Sequence, residues 1–349
     1  MRFAGKIFTL ETKPPRAEFG WPGGDKPGAL EFCTAVPDDV RAVIVQTIAA
    51  VLPEFAGDAT LHALTPPDGA IGRYRLATTQ SACFVRVSAR IGEPELERAI
   101  TAWLRGHGLP VNHLDIAGLP LSFGGHQLRL DVRELLDARH DDGSDEDLRK
   151  VAVALARCHE LMRSFPRASE VQAHASARFA RLAEVCRTFE PNTEWFEQHR
   201  DWLGEMMRCY KPRFDTMPGA QCLHAQVHRG NVLFRRSDDA AVLLDFEEAV
   251  QTFAPVAWDL AYFVQRFCLA DAPSTPKLRE RLATVRDAYS VAVPGLAEMM
   301  RQTAWFSMAV LVDYHQRGIV SPRSEYDKFV RLERQACDLA PILGEYFDV

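Results

Sequence analysis

The sequence lacks the features that mark several classes of protein. Its eight cysteines include no Cys-x-x-Cys pair, so neither a disulfide framework nor a zinc site of paired cysteines is predicted. No run of about 18 uninterrupted apolar residues occurs, and we expect no membrane span. The net charge is only −6, and Lys and Arg are not clustered. A nucleic-acid partner is therefore not predicted.

The N-terminal residues do not have the pattern of a signal peptide. In MRFAGKIFTLETKPPRAEFG, Lys6 interrupts the apolar run, and Pro14 and Pro15 follow soon after. Together with cysteines that resemble buried, reduced thiols, this predicts a cytoplasmic protein. The mild negative charge is compatible with a small cationic or neutral partner. No oligomeric state is predicted.

The first part of the chain predicts a small sheet crossed by one helix. Residues 1–28 are rich in Pro and Gly and are expected to form an irregular arm. A helix is predicted over 38–52, where apolar residues fall on one face. Strands are then predicted over 60–64, 72–79, 82–89, 118–125 and 126–132, with a helix over 92–108 between the third and the fourth.

The remainder predicts helices, with one exception. Helical spacing recurs over 145–165, 171–188, 193–210, 257–270, 276–291, 295–316 and 324–346. The exception is a short β-hairpin formed by NVLF and AVLLDF. This layout is that of an α+β, two-lobe, protein kinase-like fold. We expect a β-rich N-lobe over 29–132 and a helical C-lobe over 133–349.

The hairpin and the segment before it carry the residues of a phosphotransferase site. In the protein-kinase signature a catalytic Asp precedes an Asn by five positions, and a second Asp follows a later strand and binds metal. In HAQVHRGNVLF (224–234), Gln226 precedes Asn231 by five, and Asp245 ends the next strand. Asn and Asp oxygens are hard ligands that suit magnesium. Asn231 and Asp245 are therefore predicted to bind Mg²⁺.

The segments 224–234, LLDFEEA and PVAWDLAYF resemble the aminoglycoside phosphotransferase and choline kinase-like family, whose usual form is HGDxHxxN. FVRV (84–87) is similar to its third strand, and the resemblance extends over residues 58–270. It implies a small-molecule kinase that transfers the γ-phosphate of ATP to a hydroxyl of a small acceptor. The nucleotide would lie in a cleft between lobes, and late helices around 295–335 would form the acceptor pocket.

The resemblance also implies roles for residues of the N-terminal half. Arg86, on the third strand, would contact the nucleotide phosphates and pair with Glu97 of the following helix. The turn from Asp68 to Gly72 would cover the phosphates, with Gly69 and Gly72 allowing a close approach of the backbone.

In the C-terminal half, the resemblance implies that Asp259 braces the catalytic loop by hydrogen bonds. His224 would be a structural residue of that loop, and His228 would lie near it. A zinc pair formed by these two histidines is disfavoured, because the segment is not expected to be helical. Glu248 is expected in a solvated turn, whereas Glu247 could equally belong to the metal site.

Gln226 departs from the family at the most important position, since the usual residue there is a carboxylate. Its carbonyl can orient a hydroxyl but cannot serve as a useful base. Three hypotheses remain open: a kinase that is slow, a pseudokinase that binds Mg-nucleotide without transfer, and an enzyme that transfers AMP. An engineered substitution at this position is a further alternative.

Acids of the late helices are candidates for attracting a cationic acceptor. Asp313 and Glu325 are the two examples, although a solvated surface is the more common position for such residues. The identity of the acceptor is not predicted.

Overall fold

The computed structural model describes residues 34–89, 92–190, 193–210, 213–269, 274–319 and 321–348. These residues pack into two compact units. The sheet unit comprises 27–161 and 229–250, and the helical unit comprises 162–228 and 251–349. The predicted N-terminal arm, 1–28, lies outside the described residues. The predicted lobe limits at 132 and 133 are not the limits of these units, and they stay a prediction.

Ten strands occur in the described residues. They are β1 (Thr60–Ala63), β2 (Gly72–Ala77), β3 (Ala82–Ser88), β4 (Leu114–Phe123), β5 (His126–Glu134), β6 (Ala138–Arg139), β7 (Gln221–Cys222), β8 (Val232–Arg235), β9 (Ala241–Leu243) and β10 (Phe253–Ala254). The five predicted strands of the N-terminal part are all present as β1 to β5. β4 begins earlier than predicted, and its register is shifted near Gly118, which has a φ of 68°.

Ten α-helices occur in the same described residues. They are α1 (Asp38–Ala49), α2 (Pro94–Gly106), α3 (Asp145–Met162), α4 (Ala168–Thr188), α5 (Glu194–Gln198), α6 (Arg200–Cys209), α7 (Ala257–Phe263), α8 (Thr275–Tyr289), α9 (Leu296–Gln316) and α10 (Arg323–Phe347). Short 3-10 turns lie at Pro53–Phe55, Phe214–Thr216, Arg229–Asn231 and Ala249–Gln251, and Val264–Leu269 is π-helical.

The prediction of one helix over 193–210 was wrong, because the helix breaks at His199. The backbone there leaves helical geometry, with φ −113° and ψ 18°. The His199 ring stacks on Trp195 at 4.0 Å, and its Nδ1 lies 2.9 Å from the Trp195 carbonyl oxygen. A side chain that bonds a carbonyl of the preceding turn competes with the helical backbone bonds.

The main sheet of the sheet unit is antiparallel, with the strand order β1-β2-β3-β5-β4. One of its faces is apolar, because alternate strand residues point to the same side. Tyr74, Val85 and Val132 from this face share one core with Ile44 and Ile48 of α1. Helix α1 therefore covers the apolar face and fixes the register of the strands.

The opposite face of the same sheet is rich in charge. Its residues lie between the core residues in the sequence and are cross-strand neighbours of one another, as Arg86 is of both Arg73 and Asp131. The charged residues that share this face are Arg73, Arg75, Arg86, Arg129, Asp131 and Arg133.

The functional hairpin belongs to the sheet unit and is held there by two neighbours. β8 pairs with β9 on one side and with β6 on the other. The loop after α2 adds to β9, since the Asn112 amide donates to the Leu243 carbonyl at 3.0 Å and the Leu243 amide to that of Pro110 at 3.1 Å. The hairpin is thereby anchored beside the C-terminal end of α2.

The helical unit has a core of aromatic side chains. Trp258 lies against Phe214 and Phe306, with ring centroids 4.8 Å apart in both pairs. Phe179 of α4 packs against the same rings. Among the described residues, no helix combines the length and the apolar character needed to span a membrane.

Candidate active site

The hairpin places Asn231 and Asp245 at the same end. Val232 pairs with Leu243, and the Leu244 amide donates to the Asn231 carbonyl at 2.9 Å. Asp245 is the next residue, so it follows directly after the position opposite Asn231. Its φ of 62° is left-handed, which Asp tolerates better than most residues and which turns the chain away from the strand direction. The backbone therefore brings together the two residues that were predicted as metal ligands.

Arg86 connects β3 to the turn after β9. Its Nη1 donates to Asp245 Oδ1 at 3.1 Å, and its Nη2 donates to Glu247 Oε2 at 2.6 Å. Burial by itself would lower the pKa of the guanidinium. The charges of Asp245, Glu247 and Glu97 outweigh it, and the pKa of Arg86 is raised. One largely buried guanidinium thus contacts two acids at the hairpin end.

The predicted ion pair between Arg86 and Glu97 was wrong. Glu97 is buried on α2 and binds Arg129, with Nη2 at 3.0 Å from Oε2, and also Arg133. No hydrogen bond joins it to Arg86 in the described part of the chain. The physical reason is that β5 lies beside β3 and presents two arginines to α2, which satisfy Glu97 while Arg86 is engaged by the acids of the hairpin.

The turn from Asp68 to Gly72 is a tight connection between β1 and β2. The amides and carbonyls of Asp68 and Ile71 are joined by two hydrogen bonds of 3.0 and 2.9 Å, and Gly69 has a φ of 56°. Gly72 is needed for packing, because a Cβ there would lie 2.9 Å from the Tyr74 hydroxyl. That hydroxyl donates to the Ala70 carbonyl at 2.7 Å. Contact of this turn with phosphates stays a prediction.

In the helical unit, Asp259 holds the loop that contains Gln226. Its Oδ2 accepts from the His224 amide at 2.9 Å and its Oδ1 from the Ala225 amide at 2.7 Å, and the side chain is fully buried on α7. Ala225 has a φ of 77°. The family form HGD has Gly at this position, so an alanine is held here in a conformation that favours glycine.

His224 and Gln226 are joined within the same loop. His224 is fully buried, and its Nδ1 accepts from the Gln226 amide at 3.4 Å. Nδ1 is therefore the unprotonated nitrogen of that ring in this arrangement. The Gln226 and His228 side chains are both partly exposed. The loop geometry is that expected of a braced segment, and the roles of these residues stay predictions.

Four residues at or near the site were missed or misjudged from the sequence. Glu247 was left undecided, and it shares Arg86 with Asp245. Glu248 was expected in a solvated turn, but it is buried, with 8% exposure. Arg129 and Arg133 were not considered, although their alternation with apolar residues along HQLRLDVR (126–133) places them together on one sheet face.

The acids that were considered for the acceptor are already engaged within the helical unit. Asp313 is buried and pairs with Arg181 and Arg317. Glu325 pairs with Lys328. Burial lowers the pKa of Lys328, and the nearby charge of Arg266 lowers it further, while Glu325 opposes them.

Comparison with known proteins gives the family. The sequence pattern of the phosphotransferase enzyme family matches residues 62–299, which is more than half of the chain. The chain belongs to that family. The resemblance to aminoglycoside phosphotransferases and choline kinases is thus confirmed. No curated protein matches the chain significantly in sequence.

Solved structures with the same fold cover most of the chain. The amicoumacin kinase hAmiN, in complex with AMP-PNP and Ca²⁺, has a TM-score of 0.59 at 14% identity, covering 87% of this chain and 96% of its own. The choline kinase LicA from Streptococcus pneumoniae has a TM-score of 0.54 at 14% identity, covering 85% of this chain and 100% of its own. A microcompartment-associated aminopropanol kinase has a TM-score of 0.51 at 15% identity, covering 86% of this chain and 96% of its own. The predicted α+β, kinase-like fold is confirmed by these similarities.

The donor set at the end of the hairpin fits a divalent metal. Asp245 and Glu247 offer carboxylate oxygens, and Asn231 offers an amide oxygen, which are the ligands preferred by Mg²⁺. The two carboxylates are close enough to share one guanidinium, and their combined negative charge favours a cation at this position.

Proposed function

We propose that this protein is a small-molecule kinase that transfers the γ-phosphate of ATP or GTP to a hydroxyl group of a small acceptor. Membership of the phosphotransferase family supports the reaction class. The observation that carries the proposal is the hairpin end, where the backbone places Asp245 directly after the position opposite Asn231 and Arg86 binds both Asp245 and Glu247. Transfer of phosphate requires this combination of oxygen ligands and positive charge.

In this proposal Asn231 and Asp245 hold Mg²⁺, which supplies neutralising charge to the phosphates. Arg86 contacts the phosphates directly, and the turn from Asp68 to Gly72 covers them. These roles are supported by the position of Arg86 on the charged face of the sheet and by its contact with Asp245. They amount to positioning and charge neutralisation, which account for most of the catalysis of phosphoryl transfer.

Gln226 is proposed to orient the acceptor hydroxyl through its side-chain carbonyl. It has no negative charge and cannot take the proton as a carboxylate does. General-base help contributes roughly 10²–10⁴ to a rate, and the transition state is loose, so the proton need not leave early. The expected enzyme is slow rather than inactive.

The first experiment tests nucleotide binding. Ligands of the native state raise its stability, by about 2.7 kcal/mol at a hundred times the dissociation constant. Melting curves with and without Mg²⁺ and millimolar ATP should therefore differ, and Asp245→Asn should reduce the difference. An absence of any shift with ATP and with GTP contradicts the proposal.

The second experiment tests transfer. Formation of phosphorylated product would be followed with alcohols that carry an amine, because structural neighbours include choline and aminopropanol kinases. Gln226→Asp is expected to raise turnover by roughly 10²–10⁴, as a restored base would. Activity of the natural form that disappears in Asp245→Asn supports a kinase.

Gln226 also supports one alternative, a pseudokinase that binds Mg-nucleotide and transfers nothing. The observation in its favour is the absence of a carboxylate at this position. The two candidates differ in one measurement. A natural form that binds nucleotide but yields no product with any alcohol, while Gln226→Asp yields product, identifies the pseudokinase.

A further inference from the structure

Arg86 binds Asp245, which the proposed function assigns to a metal, and the neighbouring carboxylate of Glu247. Its guanidinium is forked between Asp245 and Glu247, with contacts of 3.1 and 2.6 Å. The three side chains are only 16%, 23% and 19% exposed, so water screens their charges weakly. A divalent ion bound to the same oxygens would lie against a fixed positive charge. A metal ion that binds Asp245 Oδ1 and Glu247 Oε2 must therefore compete with Arg86.

Glu97 does not compete for Arg86, because it has two other partners. Arg129 and Arg133 of β5 both bind it, and Arg129 also binds Asp131 at 2.7 Å. The four side chains form a buried set with two positive and two negative charges. Arg86 therefore makes its ion pairs with the hairpin acids rather than with α2.

We propose that Arg86 is an exchangeable cation. Without nucleotide its guanidinium binds Asp245 and Glu247. When a metal-bound nucleotide enters, Arg86 leaves the two carboxylates and binds the phosphates, and the carboxylates become available to the metal. This inference rests on the proposed function, since it concerns the same site. It adds a coupling: a divalent ion alone must displace Arg86, whereas with nucleotide the guanidinium has phosphates to bind.

The coupling follows from the balance of charge at the site. The carboxylates of Asp245 and Glu247 lie close enough to contact one guanidinium, so they repel each other, and a cation between them offsets this repulsion. Loss of Arg86 from the pair is unfavourable unless both the acids and the guanidinium gain new partners in the same event. Metal and nucleotide bring both partners together, so each is expected to raise the affinity for the other.

The test measures metal binding without nucleotide. Mn²⁺ serves as the probe, because its free form can be counted by electron paramagnetic resonance. Arg86→Gln is expected to bind Mn²⁺ about tenfold more tightly than the natural protein. In this variant the metal no longer has to displace a charge-assisted hydrogen bond, and a tenfold change corresponds to about 1.4 kcal/mol. The same variant should bind a non-hydrolysable ATP analogue with Mn²⁺ less tightly. Unchanged or weaker binding of Mn²⁺ alone overturns the proposal.

A matched control separates exchange from the loss of a general positive charge. Arg75 lies on the same sheet face, on the neighbouring strand, and it makes no ion pair with the described residues. Arg75→Gln removes an equal charge without touching the hairpin acids and should leave Mn²⁺ affinity within about twofold, because no ion pair joins Arg75 to those acids in the described part of the chain. An equal gain in Arg75→Gln and Arg86→Gln overturns the proposal.

Arg86→Lys keeps the test valid if the glutamine variant does not fold. Lysine retains the charge but replaces the planar fork by a single ammonium group. It is expected to give an increase in Mn²⁺ affinity of about threefold, between the other two forms. Its failure to exceed the natural protein overturns the exchange. Failure of the natural protein to bind Mn²⁺-nucleotide at all instead contradicts the proposed function itself.

Discussion

Replacement of Asp259 by Asn is expected to release the loop that carries Gln226. The carboxylate accepts two backbone amides, and a hydrogen bond to a charged group contributes about 1.5–3 kcal/mol. Asn keeps one acceptor oxygen but turns an NH₂ group towards the second amide. The left-handed conformation of Ala225, which costs about 1–2 kcal/mol, then loses the contact that holds it. Because Asn is neutral, the variant no longer buries a charge, which offsets part of this loss. We expect the free energy of unfolding to fall by about 2–3 kcal/mol.

The assay is urea denaturation of the natural protein and the variant, with hydrogen exchange of the His224 and Ala225 amides measured in parallel. Both amides should lose protection in Asp259→Asn. The matched control is Asp348→Asn in the same unit, where an exposed carboxylate accepts only the Gly295 amide at 2.9 Å. That variant should lose less than about 1 kcal/mol.

A double-mutant cycle with Ala225→Gly examines the strain separately. Glycine adopts the left-handed conformation freely, so Asp259→Asn should cost about 1 kcal/mol less in the glycine background. The reasoning is refuted if Asp259→Asn changes the free energy of unfolding by less than about 1 kcal/mol while both amides stay protected.

The remaining predictions concern stability. Ala225→Gly alone should raise the free energy of unfolding by up to about 1 kcal/mol, whereas a decrease in urea denaturation would contradict the strain at this position. Gly72→Ala should lower the free energy of unfolding by about 1–3 kcal/mol, because its Cβ would meet the Tyr74 hydroxyl. Adding Tyr74→Phe to the same chain should recover part of this loss, whereas additive losses would show that the clash is not the cause. Burial lowers the pKa of both His113 and His140. Because the unfolded chain then binds more protons, the free energy of unfolding should fall as pH drops below about 6.5, and less so in His113→Asn with His140→Asn; identical pH profiles would refute this.

Much of the fold follows from local patterns in the sequence. Alternation of apolar residues predicted β1 to β5, and helical spacing predicted the long helices of the C-terminal half, because both patterns reflect which side of an element is buried. The helix predicted over 193–210 shows the limit of such reasoning. Its apolar spacing continues across His199, but the bond between the His199 ring and the Trp195 carbonyl interrupts it.

The candidate site was predictable where its residues are close in sequence. Asn231 and Asp245 lie on one hairpin, and the hairpin register follows from two short apolar runs with turn residues between them. The partner of Arg86 was not predictable in this way. Glu97 and the cross-strand neighbour Asp131 were also available to it. The choice of Asp245 and Glu247 over Glu97 depends on two arginines of β5 that are more than 30 residues distant from Glu97 in the sequence.

The sequence by itself therefore determined the order of the elements, the family and the hairpin that carries the predicted metal ligands, since these depend on short-range spacing and on residue chemistry. Only the tertiary structure decided which charges pair with one another on the sheet face and showed that Ala225, in the loop held by Asp259, has a left-handed conformation. The physical reason is that ion pairing depends on distance and burial, and both are set by how distant segments of the chain pack together.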